Sequence, residues 1–241
     1  MRSLTGTISL VVPESIGDEV ARPHTKQARR LRSTDGREWI AKSELTIRRK
    51  GLRAEVIGHL AARLLGMPTP AGGVAVVNGV RWWCSELVLP SMPWSRATGE
   101  RLARPSRVAH LLLLDLLIFN EDRHSDNMLL KPRLDGGFDL LAIDHEEAWI
   151  GSSVVLPTDR LPSLEKCPET LYEHSKIRKW LQNAAKSIAN IDESRWRELA
   201  NLTAIHVPET DEHALGHLLS TRAATLGTIA SRAIREYRQF V

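Results

Sequence analysis

The stretch from Val108 to Asn127 constrains this chain more than any other. Val108, Leu111, Leu112, Leu116 and Phe119 recur at helical spacing, and the apolar run Leu111 to Phe119 is broken only by Asp115. A helix with such a face needs a core to cover it. The run is about half the length a bilayer span requires, so a buried helix is expected and a membrane span is not. The chain then changes character at once, into the polar loop Asn120-Glu121-Asp122-Arg123-His124-Ser125-Asp126-Asn127. Two short apolar runs follow, Met128 to Leu130 and Phe138 to Ile143, on either side of a turn at Leu134-Asp135-Gly136-Gly137. That pattern reads as a hairpin, and Asp144 closes it.

The flanking sequence divides into a strand-rich and a helical part. Leu4 to Val12 reads as a strand, and the runs Gln27–Arg32 and Arg37–Lys42 flank an Asp35-Gly36 turn. Leu52 to Leu65 carries a helical stripe that Gly66 ends and Pro68 keeps from resuming. Val74–Val77 and Arg81–Leu89 surround Asn78-Gly79 as a further hairpin. Pro90 to Pro105 is a Pro/Ser/Arg-rich connector, and helices are expected near 169–189, 193–204 and 211–238. The expectation is an α+β chain of two lobes: a small strand-rich lobe over 1–90, a connector over 91–105, and a mainly helical lobe over 106–241.

Composition narrows the function classes. With 42% hydrophobic and 26% charged residues among 241, the chain reads as an ordinary folded, soluble protein. Its two cysteines show neither metal-ligand spacing nor a disulfide framework, and the N-terminus lacks the features of a secretion signal. A cytoplasmic location is expected. The net charge of +4 gathers in two basic clusters, Arg22, His24, Lys26, Arg29, Arg30 and Arg32, then Arg48, Arg49, Lys50 and Arg53. They read as solvated surface. No zinc-finger, basic-zipper or RNA-recognition pattern accompanies them, so nucleic acid is not the expected partner.

The residue types that remain suit phosphoryl transfer. That reaction needs a cation on the nucleotide phosphates, oxygen ligands for Mg²⁺, and a carboxylate to orient and deprotonate the acceptor hydroxyl. Lys42 is one of only eight lysines among 33 basic residues, and it ends the apolar strand Trp39-Ile40-Ala41. Glu55, on the following helix, is its natural ion-pair partner. Glu86, near the end of the strand before the connector, joins Lys42 and Glu55 as a candidate nucleotide-binding residue. Asp122 and Asn127 lie five positions apart in the polar loop, the spacing of a kinase catalytic Asp and its metal-binding Asn. Asp144 follows the hairpin, where kinases place their main Mg²⁺ ligand.

The string LLDLLIFNEDRHSDNMLL, followed by LLAIDHEEAW, resembles the catalytic core of HipA-like kinases. It also resembles the related Asp-Arg-His-x-x-Asn loop of phosphatidylinositol 3/4-kinases. The resemblance implies a protein-kinase-like fold and ATP- and Mg²⁺-dependent phosphorylation, with a protein Ser/Thr as first choice of acceptor. A lipid or small-molecule hydroxyl is the alternative. It assigns Asp122 as the catalytic Asp, Asn127 and Asp144 as metal ligands, and His124 as a group that positions the loop or touches the γ-phosphate. Two departures limit what the resemblance carries over, and the first favours a rival reading, a catalytically silent module that binds nucleotide or a partner. No Gly-rich loop precedes Lys42, only Gly17 in the polar stretch Pro13 to Lys26, and His145-Glu146-Glu147 follows Asp144 in place of Phe-Gly. Asp115, a carboxylate on the buried helix face, needs partners, and the backbone of the catalytic loop is expected to supply them. His145 to Ser163 stands where kinases carry an activation segment, with Ser152, Ser153, Thr158 and Ser163 as candidate phosphorylation sites near Arg160.

Overall fold

Strand β4 (Glu38–Ser43) shows how period-two alternation builds the first lobe. Trp39 and Ala41 face one side of the sheet, where they pack with Val11, Leu31, Ala75 and Cys84 in a small core. Ile40 and Lys42 therefore face the other side, and both line the molecule's main cavity. The computed structural model describes residues 4, 6–20, 28–152, 155–157, 160–163, 166–168 and 175–236. In it, β4 pairs with β3 (Arg29–Ser33) and β6 (Val80–Glu86), and the six-stranded sheet has the order β1-β5-β6-β4-β3-β2. Here β1 is Ile8–Leu10, β2 is Pro13–Glu19 and β5 is Gly72–Val77. The β5–β6 turn places Asn78 and Gly79 at φ 51° and 76°, the left-handed pair that a two-residue hairpin favours.

Helix α1 (Glu44–Leu64) follows β4 directly, capped by the Ser43 hydroxyl, which accepts from Leu45 N at 3.1 Å. Arg48, at φ 62°, kinks its first turn. Gly51, Ala54 and Gly58 then form a narrow ridge on which the chain after Asp144 lies. A Cβ at Gly58 would stand 2.3 Å from His145 Cγ, and one at Gly151 would stand 2.6 Å from Ala54 Cβ. The close approach fixes α1 against the second lobe.

The connector contributes β7 (Met92–Pro93) and the short α2 (Arg96–Gly99), and β7 adds to the hairpin of β8 (Met128–Pro132) and β9 (Phe138–Ala142). Before that hairpin comes α3 (Arg107–Ile118), buried at every position from Leu111 to Ile118. Around it pack α4 (Ile177–Ala189) and α6 (Glu212–Glu236), with α5 (Glu193–His206) against α6 and α1. The last carbonyls of a helix lack partners within it. Arg222 of α6 supplies them, donating to Leu117 O at 2.9 Å and also to Leu116 O. Phe119 takes a left-handed turn (φ 56°) and releases the chain into the polar loop.

Several elements differ from the sequence reading. Pro13 to Glu19 is a strand, although it shows no apolar alternation, because pairing with β3 organises its mostly exposed side chains. The first helix begins at Glu44, not Leu52; among residues 44–50 only Ile47 is buried, so this part carries no stripe. Residues 169–174 of the helix expected at 169–189 lie outside the described residues, as do Arg22, His24, Lys26, Ser153 and Thr158. No helix among the described residues is long and apolar enough to cross a membrane.

Candidate active site

A cavity of about 410 Å³ opens between the six-stranded sheet and the β8–β9 hairpin. Apolar walls come from Val20, Ile40, Met92, Leu129 and Ile143. Its polar groups include Lys42, Glu55, Glu86, His124, Asp126, Asn127 and Asp144. Both its size and its mix of apolar walls with a few convergent polar groups are those of a small-molecule site. Glu86 ends β6 beside Leu87 and Val88, which also line the cavity. The Leu87 amide is already taken by Glu38 O at 2.8 Å.

Lys42 sits at the inner end. Its Nζ lies 2.8 Å from Asp144 Oδ1, 2.9 Å from Glu146 Oε2 and 3.1 Å from Glu55 Oε1. Burial disfavours the ammonium, but Asp144, Glu55 and Glu146 outweigh it and hold the Lys42 pKa well above its ordinary value. Burial likewise works against the Asp144 carboxylate, and Lys42 with Arg123 keeps it below the usual range. Burial pushes the Glu55 carboxyl upward despite Lys42. The other Glu55 oxygen accepts from His145 N at 3.0 Å, so α1, β4 and the chain after β9 meet at one point. Asp144 itself is left-handed, at φ 59°. Sequence reasoning missed Glu146, whose place two residues after Asp144 was the available signal.

The polar loop is held from beneath by a fully buried ion pair. Asp115 of α3 receives Arg123 Nη2 at 2.8 Å, Arg123 Nε at 3.0 Å and Asn120 Nδ2 at 2.9 Å. Side chains of the loop, not its backbone amides, are therefore the partners of Asp115; a guanidinium offers several donors in a fixed plane, which separate amides on a tight turn do not. Arg123 also donates to Asn127 O at 2.6 Å and Ile143 O at 2.8 Å, and approaches His145 Nδ1 at 3.3 Å. One side chain thus joins the loop to the strand that delivers Asp144. Its position in the Asp-Arg-His string was visible, but not this role.

Asn127 is buried, and its amide donates to Asp122 O at 2.8 Å, closing the loop on itself. Asn120 Oδ1 accepts from Asp122 N at 3.2 Å. The Asp122 carboxylate does not line the cavity. One oxygen pairs with Lys166 and the other lies 3.8 Å from His124 Nε2, and His124 does reach the cavity. Nearby, Ser163 N donates to Glu121 Oε1 at 3.1 Å, and the Arg160 guanidinium lies 4.4 Å from the Trp149 ring centre. The cavity gathers Lys42, Glu55, Glu86, His124, Asn127 and Asp144, while Asp122 stands at its margin.

No protein-family model matches the sequence, and no curated protein matches it. Solved structures do match the fold. The Helicobacter pylori proinflammatory kinase CtkA aligns over 95% of this chain and 98% of its own, at TM-score 0.63 and 12% identity. The Golgi casein kinase, in a structure with Mn and ADP bound, aligns over 95% of this chain and 76% of its own, at TM-score 0.56 and 12% identity. HipA of Shewanella oneidensis MR-1, in complex with HipB and operator DNA, aligns over 84% and 59% at TM-score 0.47 and 12% identity. The first two matches carry the assignment: the chain has an α+β, two-lobed, kinase-like fold.

Proposed function

We propose that this chain is an ATP- and Mg²⁺-dependent phosphotransferase that moves the γ-phosphoryl group to a hydroxyl, with a protein Ser/Thr as acceptor. The observation that carries the reading is the meeting of Lys42, Asn127 and Asp144 around one cavity, with Asp122 beside it on the same loop as Asn127. In this reading residues 1–90 form the nucleotide-binding lobe, 91–105 the connector and 106–241 the catalytic lobe.

The apolar walls suit a base, with Glu86 beside it, and Lys42, steadied by Glu55, binds the phosphates. The carboxylate of Asp144 and the amide oxygen of Asn127 are hard donors, the kind Mg²⁺ takes, and these residues would hold it. When bound, Mg²⁺ supplies charge neutralisation to the phosphates. Asp122 orients the acceptor hydroxyl and takes its proton as the oxygen bonds to the γ-phosphorus and the bond to the leaving ADP oxygen breaks. His124 lies between Asp122 and the cavity and positions the loop. The pairing of Asp122 with Lys166, outside the cavity, favours a second reading, a nucleotide-binding module without transfer.

Two variants separate these readings. Asp122→Asn keeps Mg-ATP affinity but loses about 10²–10⁴-fold in transfer rate, the worth of a positioned general base. Lys42→Met weakens binding and rate together, because it contacts phosphate before the reaction as well. Calorimetric titration of Mg-ATP, paired with phosphoryl transfer from labelled ATP to a protein mixture, reads both. Transfer by Asp122→Asn at the unmodified rate removes the base assignment, and binding without transfer in the unmodified protein selects the silent module.

A further inference from the structure

Three carboxylate oxygens, from Asp144, Glu146 and Glu55, lie within 3.1 Å of the Lys42 ammonium; Glu55 accepts a hydrogen bond from it, and Glu146 pairs with it by charge. Three carboxylates around one ammonium leave the cluster with a formal charge of −2 when all three are ionised, and burial works against that charge at Glu55. A phosphate oxygen arriving at Lys42 therefore meets an occupied cation inside a negative field. One of the three contacts has to yield.

The three carboxylates are not equivalent. Glu55 is tied on its second oxygen to His145 N, so it anchors α1 to the chain after β9. Asp144 faces the cavity, where the proposed metal role needs it. Glu146 is buried and does not line the cavity. It also stands where the sequence departs from Phe-Gly, a glycine position in that pattern, so its side chain is an addition to the site.

We propose that Glu146 is an internal stand-in for a nucleotide phosphate: it pairs by charge with the Lys42 ammonium in the nucleotide-free protein, and a nucleoside polyphosphate binds by taking its place. Glu146 is thus a positioning residue that sets nucleotide affinity through Lys42. The inference rests on the phosphate-binding role given to Lys42 above. It accounts for a lysine that is fully engaged before any ligand arrives. The chemistry concerns the phosphate groups alone, so it applies to ADP as to ATP, with or without a metal.

The test is calorimetric titration of ADP, first without divalent cation and then with Mg²⁺, into the full chain and its Glu146→Gln variant. Glutamine keeps the shape of the side chain and removes the competing charge. Affinity for metal-free ADP should rise roughly tenfold, equivalent to about 1.4 kcal/mol. The gain should vanish when Lys42→Met is added, because the competition acts through that ammonium. Glu146→Asp, which keeps the charge but shortens its reach, should fall between the two and serves if the glutamine variant folds poorly. Unchanged or weaker ADP binding by both Glu146 variants overturns the proposal. If ADP binding by the unmodified chain depends on Lys42 and Glu146→Gln does not tighten it, only the exchange is wrong. If neither protein binds nucleotide, or Lys42→Met binds as well as the unmodified chain, the phosphate-site reading falls too.

Discussion

The two ends of the cleft are built on opposite principles. At the inner end, Lys42, Glu55 and Glu146 expose less than a tenth of their side chains, and three separate segments meet on one ammonium. At the outer end, Asp122 is 27% exposed and its partner Lys166 62%. A desolvated charge cluster resists loss of any member, because the others remain buried and uncompensated. An exposed pair is screened and costs little to break. The inner end therefore gives up a member only to another charged group that replaces it, and the outer end can exchange its partner at little cost. Both rest on the same foundation, the Asp115–Arg123 pair beneath the loop.

That foundation offers the largest test of the comparison. Arg123→Ala leaves the fully buried Asp115 with only Asn120 as a side-chain donor among the contacts described above. Breaking a buried pair from one side costs about 3–5 kcal/mol, so urea denaturation should show a loss of that size. The double variant Arg123→Met with Asp115→Leu, which removes both charges, should be more stable than Arg123→Ala. A loss below about 1 kcal/mol in Arg123→Ala would mean that the loop does not depend on the pair.

Next in size is Gly58→Ala. The added Cβ would meet the His145 ring at 2.3 Å, and overpacking of a core contact costs about 1–3 kcal/mol. The better helix propensity of alanine returns at most about 1 kcal/mol. A net loss in denaturation, with weaker Mg-ATP binding through displacement of the segment that carries Asp144, is the expected result. An unchanged or raised stability would show that α1 and this segment are not wedged together.

That Lys42, Asn127 and Asp144 share one cavity could be read from the sequence, and the groups that support them could not. Lys42, Asn127 and Asp144 were legible because each sits at a fixed place in a strand–helix or loop–hairpin order, and the α+β layout followed from the same periodicities. Glu146 and Arg123 were in plain view, yet what they touch depends on contacts across the fold: Arg123 reaches back eight residues and forward twenty-two. Strand β2 carried no apolar period because most of its side chains are exposed. The early start of α1 depends on a Ser43 cap and on Glu44 reaching Arg81, which no local pattern announces.

Acid should act on the inner end through a neighbour. His59, four residues after Glu55 on α1, is buried edge-on against Trp83, with ring centres 5.5 Å apart. Burial, with a smaller effect from Arg63, lowers its pKa to about 3 from the ordinary 6.5. The unfolded chain thus binds a proton there at pH values where the folded protein does not. Stability from this group is full near neutrality and is lost as pH falls from 6.5 toward 3, at up to about 1.4 kcal/mol per pH unit. Denaturation at pH 7 and pH 4.5 should show His59→Leu losing less stability on acidification than the unmodified chain. Equal losses would mean that His59 titrates normally and is not enclosed.

The smallest effect belongs to the outer end, and it decides the comparison. Lys166 and Asp122 form an exposed pair, and such pairs contribute about 0.2–1 kcal/mol in low salt. Lys166→Ala should change stability by no more than that, and the difference from the unmodified chain should shrink as ionic strength rises, because exposed charges are screened over distances of about 10 Å at 0.1 M and about 3 Å at 1 M. Lys42→Ala should instead cost more and keep its cost in salt, since solvent ions cannot enter a buried cluster. A salt titration of both variants compares the two ends in one experiment. If Lys166→Ala costs more than about 2 kcal/mol, or if its cost persists at 1 M salt, the outer pair is a structural clamp. Asp122 would then not be free to exchange Lys166 for an acceptor hydroxyl.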